Sequence, residues 1–191
     1  MHNAPVNLRR RDFVSMLALG ASRGAVASND PLADRLRAGG CVVLLRHART
    51  TPGVGDPPGF RLDSCSTQRN LSEEGRAQAR AVGAWFRNLS LQPGAVRSSA
   101  WCRCRDTAAL AFGAHETWPP LNSTFGNSAG AGAAAATQAL RAALAGIPTA
   151  AFEVWVTHQV NISALAGEFT EMGEGLVVDT AARIVARSRF A

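Results

Sequence analysis

The sequence has no lysine and no tyrosine, so all 20 of its basic residues are arginine, set against 14 acids for a formal net charge of +6. Arg9, Arg10, Arg11 and Arg23 stand beside the single acid Asp12 in the first 27 residues and supply +3 of that charge, leaving 16 arginines against 13 acids elsewhere. An excess this small, dispersed among acids and with aromatics at only 6%, excludes the basic stripe of a nucleic-acid-binding surface. Long apolar runs are also missing. The stretch FVSMLALGAS near the N-terminus falls far short of the roughly 20 residues that a bilayer-spanning helix needs, so no stable membrane span is expected. Cysteine is scarce, with only Cys41, Cys65, Cys102 and Cys104. The pair in Cys102-Arg103-Cys104 has neither a second pair nor a nearby histidine, which argues against a zinc site. There is no internal repeat.

An apolar content of 47% in 191 residues fits one soluble domain with a single substantial core. Residues 1–27 read as an address. Arg10-Arg11-Asp12-Phe13-Val14, the short apolar stretch and Ala25-Val26-Ala27 resemble a twin-arginine export signal with an A-x-A cleavage pattern. The expected domain is therefore 28–191, delivered to a bacterial periplasm by the twin-arginine export machinery. Four cysteines suit that compartment. Pairing of Cys65 with either Cys102 or Cys104 is expected, and Cys41 reads as a small apolar residue opening a strand.

Along the remaining chain, strands and helices alternate. Residues 31–38 read as a helix and Cys41 to Leu45 as a buried strand. Residues 51–70 form a long Pro- and Gly-rich loop. Ser72 caps a helix whose apolar face is assigned to Ala77, Ala81, Ala84 and Trp85. Ala95-Val96 enters a strand ending at Arg97-Ser98-Ser99, and a helix follows to about Phe112. Residues 113–132 form a connection and 133–145 an Ala-rich helix. Phe152 to Val156 is a second buried strand, Asn161 to Ala166 a short helix, and two short strands close the chain. This alternation predicts a three-layer α/β/α domain.

Two buried strands finish in a histidine: Arg46-His47 after the first, Thr157-His158 after the second. Ligands of open α/β sheets bind where the loops leave the C-terminal strand ends. Parallel strands would set the two histidines side by side, with guanidinium groups suited to a phosphate.

Four segments then resemble, in order, the landmarks of the histidine phosphatase superfamily, with its phosphoglycerate-mutase-like fold and mostly parallel sheet. They are RHART at 46–50, LSEEGRAQA at 71–79, VRSSAWCRCRDTA at 96–108 and VWVTHQVNI at 154–162. The resemblance implies that His47 is a nucleophile taking the phosphoryl group, that Arg46 and Arg103 clamp its oxygens, and that His158 completes the pocket. It implies a phosphomonoesterase acting on a small-molecule or surface-exposed phosphate ester with no cofactor and no metal. Arg49, Thr50, Gln68 and Asn70 are further candidate phosphate contacts. The sequence departs from the pattern in three places. Ala48 replaces a glycine, Gln159 stands after His158 where one branch has an aspartate proton donor, and Leu121-Asn122 stands near where the mutase-type branch has a glutamate. The donor is thus open among Asp63, Glu116 and Glu174. A phosphomutase and a non-catalytic phosphoryl-ligand binding protein are the competing readings, and Trp101 and Trp118 are assigned to the core ahead of the pocket wall.

Overall fold

The computed structural model describes residues 1–2, 30–125 and 130–190. The export signal assigned to residues 1–27 lies almost entirely outside the described residues. Among the described residues, no helix is long and apolar enough to cross a membrane.

A six-stranded sheet organises the chain. Its members are β1 (Cys41–Arg46), β2 (Ala95–Ser98), β3 (Glu116–Thr117), β4 (Phe152–Thr157), β5 (Gly175–Asp179) and β6 (Ile184–Ser188), in the order β3-β2-β4-β1-β5-β6. Pairs β2–β3, β2–β4 and β1–β4 are parallel, while β5 runs against both β1 and β6. Five strands therefore share one direction. The helices are α1 (Pro31–Arg37), α2 (Glu73–Asn88), α3 (Cys102–Phe112), α4 (Ala131–Ala145) and α5 (Gln159–Ala166).

The side-chain period of β1 explains the layers. Successive residues of a strand point to opposite faces. Cys41, Val43 and Leu45 join one buried cluster with Val82, Phe86, Cys104 and Ala108 of α2 and α3. Val42 and Leu44 join another with Leu140 and Leu144 of α4 and Ile162 and Leu165 of α5. Both faces are covered, which is why the strand reads as an unbroken apolar run. The three-layer α/β/α expectation is correct. The 113–132 connection contains structure that its composition concealed: β3 and a 3-10 turn at Pro119–Leu121.

The inward face of α2 differs from the sequence reading. Ala77 and Ala81 are exposed, and the buried side is Gly75, Ala79, Val82, Gly83 and Phe86. The contact line runs through glycines, which carry no hydropathy signal. A Cβ on Gly83 would stand 2.1 Å from the Ala111 carbonyl oxygen of α3, and one on Gly75 would stand 1.8 Å from the Arg49 carbonyl oxygen. Close approach of backbones, and no special dihedral, requires these two residues. Gly83→Ala is expected to force α2 and α3 apart and to cost about 1–3 kcal/mol despite its higher helix propensity, read as a lowered midpoint in thermal or urea unfolding.

Candidate active site

The β1–β4 register aligns Arg46 with Thr157, so the next residues of the two strands, His47 and His158, leave the sheet side by side. The His47 amide donates to the Thr157 carbonyl at 3.0 Å, extending the ladder by one bond. The ring centroids lie 5.5 Å apart in an edge-on arrangement. From the strand on the other side of β4, Ser99 donates its amide to Val156, and α3 then starts and delivers Arg103.

Each imidazole has its tautomer set by a partner. His47 Nδ1 lies 2.9 Å from the Ala48 carbonyl oxygen, an acceptor only, so Nδ1 carries the proton and Nε2 keeps its lone pair. His158 Nδ1 lies 3.5 Å from the Arg103 guanidinium, a donor only, so His158 Nε2 carries the proton and donates to Ser99 Oγ at 2.8 Å. Ser99 in turn donates to Asn122 Oδ1 at 3.3 Å. Burial pushes the His47 pKa down to about 3; the bond to Ala48 opposes this, and the charges of Arg103, Arg46 and Arg69 add to it. His158 is likewise held well below the ordinary range by burial, then by His47 and the same arginines. Both rings are neutral at neutral pH.

A histidine that stays neutral when folded but protonates when unfolded makes stability depend on pH. Below about 6.5 the unfolded chain binds protons that the folded chain refuses, so stability rises with pH from about 3 to 6.5 and levels off above. Asp56, whose folded pKa is depressed, adds a loss of the same sign at the acidic end. Melting temperature is expected to fall as pH drops from 7 towards 4, with a shallower slope in a His47→Asn protein.

The pocket above the two imidazoles has a volume of about 580 Å³. Its lining includes Arg46, Arg69 and Arg103 and, among the described residues, a single acid, Asp56. Arg46 is oriented by Gln159, whose Oε1 accepts from it at 3.3 Å, by the Thr170 carbonyl, and by the Phe169 ring at 5.3 Å. Gln159 therefore positions an arginine of the pocket. Arg103 is almost wholly buried and pairs with Asp56 Oδ1 at 2.7 Å. Asp56 also accepts from the Arg69 amide at 3.0 Å and from Trp101 Nε1 at 3.0 Å. Burial raises its proton affinity, but the Arg103 bond and the other donors outweigh this and hold the carboxyl below its usual range. The Nε atoms of Arg46, Arg69 and Arg103 are buried without a partner among the described residues, so each guanidinium keeps a donor unused.

Four expected substrate contacts lie elsewhere. Arg49 and Thr50 line a separate depression with Ser72 and Gln78, and Thr50 Oγ1 points at the Met172 sulfur. Gln68 spends its amide on the Arg61 and Leu62 carbonyls and on the Cys102 N–H, and Asn70 bonds the Cys65 carbonyl. Both brace the 51–70 loop. None of the three donor candidates lines the pocket. Asp63 is exposed beside Arg61, and Glu116 faces Arg97 on the sheet edge. Glu174 is buried against the Glu171 amide and Arg187. Trp101 lines the pocket and touches His158 at 5.4 Å between centroids, whereas Trp118 packs on Trp155. Ala48 is buried with an ordinary backbone, its amide held by Thr107 Oγ1, so the missing glycine places no demand on φ.

Arg69 and Asp56 are charged pocket residues that sequence reasoning misses. In an extended segment alternate side chains point opposite ways. That Gln68 and Asn70 turn into the loop is the reason Arg69 turns into the pocket. The Cys65–Cys102 bridge ties this loop to the residue next to Arg103, and Cys41 and Cys104 are free and buried.

No curated protein matches the chain in sequence. Solved structures do share its fold. TTHB049 of Thermus thermophilus superimposes with a TM-score of 0.53 at 22% identity, covering 77% of this chain and 98% of its own. A phosphoglycerate mutase from the same organism gives 0.54 at 22% identity over 77% and 97%. A candidate phosphohistidine phosphatase, SixA of Agrobacterium tumefaciens, gives 0.52 at 21% identity over 78% and 97%. The segment that carries Arg46, His47, Arg69 and Arg103, residues 42–124, matches the histidine phosphatase superfamily (branch 1) on a phosphoglycerate-mutase-like fold.

Proposed function

We propose that the chain is a histidine phosphatase that hydrolyses phosphate monoesters through a phosphohistidine on His47, in the periplasm. The observation that carries this reading is the charge of the pocket around a neutral nucleophile. Three guanidinium groups against one carboxylate leave +2 beside His47 Nε2, the complement of a phosphoryl dianion. Phosphoryl transfer needs positioning and neutralisation of the equatorial oxygens, and fixed guanidinium forks supply both. Attack by Nε2 puts a positive charge on the ring, which the Nδ1–H bond to the Ala48 carbonyl stabilises. Water then cleaves the P–N bond. The Cys65–Cys102 disulfide and the N-terminal signal pattern support an oxidising compartment.

The test is a panel of phosphate esters on the purified protein, with alkaline quenching during turnover. Steady release of phosphate together with an acid-labile, base-stable phosphoryl group on the protein is expected. Inorganic phosphate that binds while every ester stays intact would favour the non-catalytic binding protein, a reading supported by the absence of Asp63, Glu116 and Glu174 from the pocket lining. Transfer within a sugar acid without release would favour a mutase.

A further inference from the structure

The reaction just proposed needs a proton for the departing alkoxide, and the residues that sequence favours for this lie outside the pocket. We propose that Asp56 is that proton donor: it rests on Arg103 in the free enzyme and is displaced from it by the incoming phosphoryl group. This inference rests on the phosphatase reading of the same site.

Three observations lead to it. Asp56 is the sole acid lining the pocket among the described residues. Its carboxylate sits at the boundary between the polar floor and the apolar rim, because the Trp101 indole that it binds touches His158 below and Phe60 above, at 5.4 Å and 5.9 Å between centroids. A phosphoryl group on the floor would direct its leaving group towards that rim, past the carboxylate. Third, Asp56 already occupies the guanidinium that a phosphoryl oxygen needs, at 2.7 Å from Arg103, so it is an internal competitor for the same donor. Its segment, residues 51–64, has no helix or strand of its own, and Val54 beside it is exposed, so the carboxylate can be exchanged without unpicking the sheet.

The exchange supplies the acid. On Arg103, and bonded to the Arg69 amide and Trp101, the carboxylate is held ionised and is a poor acid. Displaced by a dianion, it loses its cation and gains a negative neighbour, both of which favour protonation from solvent. As the Nε2–P bond forms and the ester P–O bond breaks, the carboxyl proton passes to the leaving oxygen. The carboxylate then takes a proton from the water that attacks phosphorus as the P–N bond breaks. Ester and water become alcohol and phosphate, with Asp56 restored.

Leaving-group dependence tests this. An alkyl phosphate needs a donated proton, whereas 4-nitrophenolate leaves without one. In Asp56→Asn, kcat/KM for alkyl phosphates is expected to fall by about 10²–10⁴, the usual contribution of a general acid. For 4-nitrophenyl phosphate it is expected to fall less than about tenfold, because its first step needs no acid. A burst of one nitrophenol per site should follow, then slow turnover, since water attack lacks its base. Inorganic phosphate should inhibit the variant more strongly than the parent, because its competitor carries no charge. Asp56→Glu, which keeps a carboxyl, should recover part of the alkyl activity and serves as the second variant if Asn impairs folding. Equal losses for both esters in Asp56→Asn, or no recovery in a folded Asp56→Glu, would overturn the proposal and leave Asp56 a positioning residue. Failure of the parent itself to form a phosphoenzyme with any ester would instead overturn the phosphatase reading.

Discussion

Replacing His47 with alanine is expected to lower kcat for phosphate esters by about 10⁴-fold or more, the scale on which loss of a covalent nucleophile falls. The protein should remain folded. Among the described residues His47 makes one side-chain hydrogen bond, to the neighbouring Ala48 carbonyl, and the backbone bond that fixes its place, from its amide to Thr157, survives the change. The three arginines are untouched, so inorganic phosphate should still bind with an affinity within about tenfold of the parent's, since their charges supply most of the attraction. The phosphoenzyme should vanish. That combination, retained binding with lost turnover and no trapped phosphoryl group, separates loss of a nucleophile from collapse of the pocket. Turnover undiminished in His47→Ala would remove the phosphohistidine pathway altogether, and isothermal titration beside a phosphate-release assay reads both quantities.

Much of this site is legible in the sequence because strands enforce it. The apolar run Cys41 to Leu45 requires burial on both faces, which implies helices on both sides, and Arg46-His47 then must lie at the strand's mouth. The same logic applied to Phe152 to Val156 brings His158 alongside. Legibility fails where the backbone has no period. Residues 51–64 give no alternation from which to infer that Asp56 turns inward, and Phe60 and Val54 reach the rim through the same irregular loop. It fails again on α2, where the eye follows Ala77 and Ala81, while the helix packs through Trp85 as expected and also through Gly75 and Gly83, whose contribution is the absence of a side chain. At Arg69 the placement differs by one residue of register: its neighbours Gln68 and Asn70, the candidates that sequence offers, bond the Arg61 and Cys65 carbonyls.

Arg103→Gln is expected to damage activity and stability together, for different reasons. Activity should fall by about 10³-fold in kcat/KM, because the variant loses a charged donor to the phosphoryl oxygens that develop charge during transfer. Stability should fall by about 3 kcal/mol, the scale for stripping one partner from a buried ion pair. The side chains of Asp56 and Arg103 are both more than nine-tenths buried, and without the guanidinium the carboxylate keeps, among the described residues, only the Arg69 amide and the Trp101 indole as donors. The two losses can be pulled apart. Adding Asp56→Asn to Arg103→Gln replaces the ion pair with two amides that can bond each other, removing the uncompensated charge, so the unfolding midpoint should recover most of the deficit. Turnover should not recover, since neither amide can neutralise a dianion or donate a proton to an alkoxide. A double variant that regained activity along with stability would mean that the pair serves only to hold the loop against α3. One that regained neither would mean that Arg103 matters to the fold chiefly through His158, whose Nδ1 it also faces at 3.5 Å. The double-mutant cycle, run on urea midpoints and on kcat/KM in parallel, therefore assigns the guanidinium its share in the fold and its share in the chemistry.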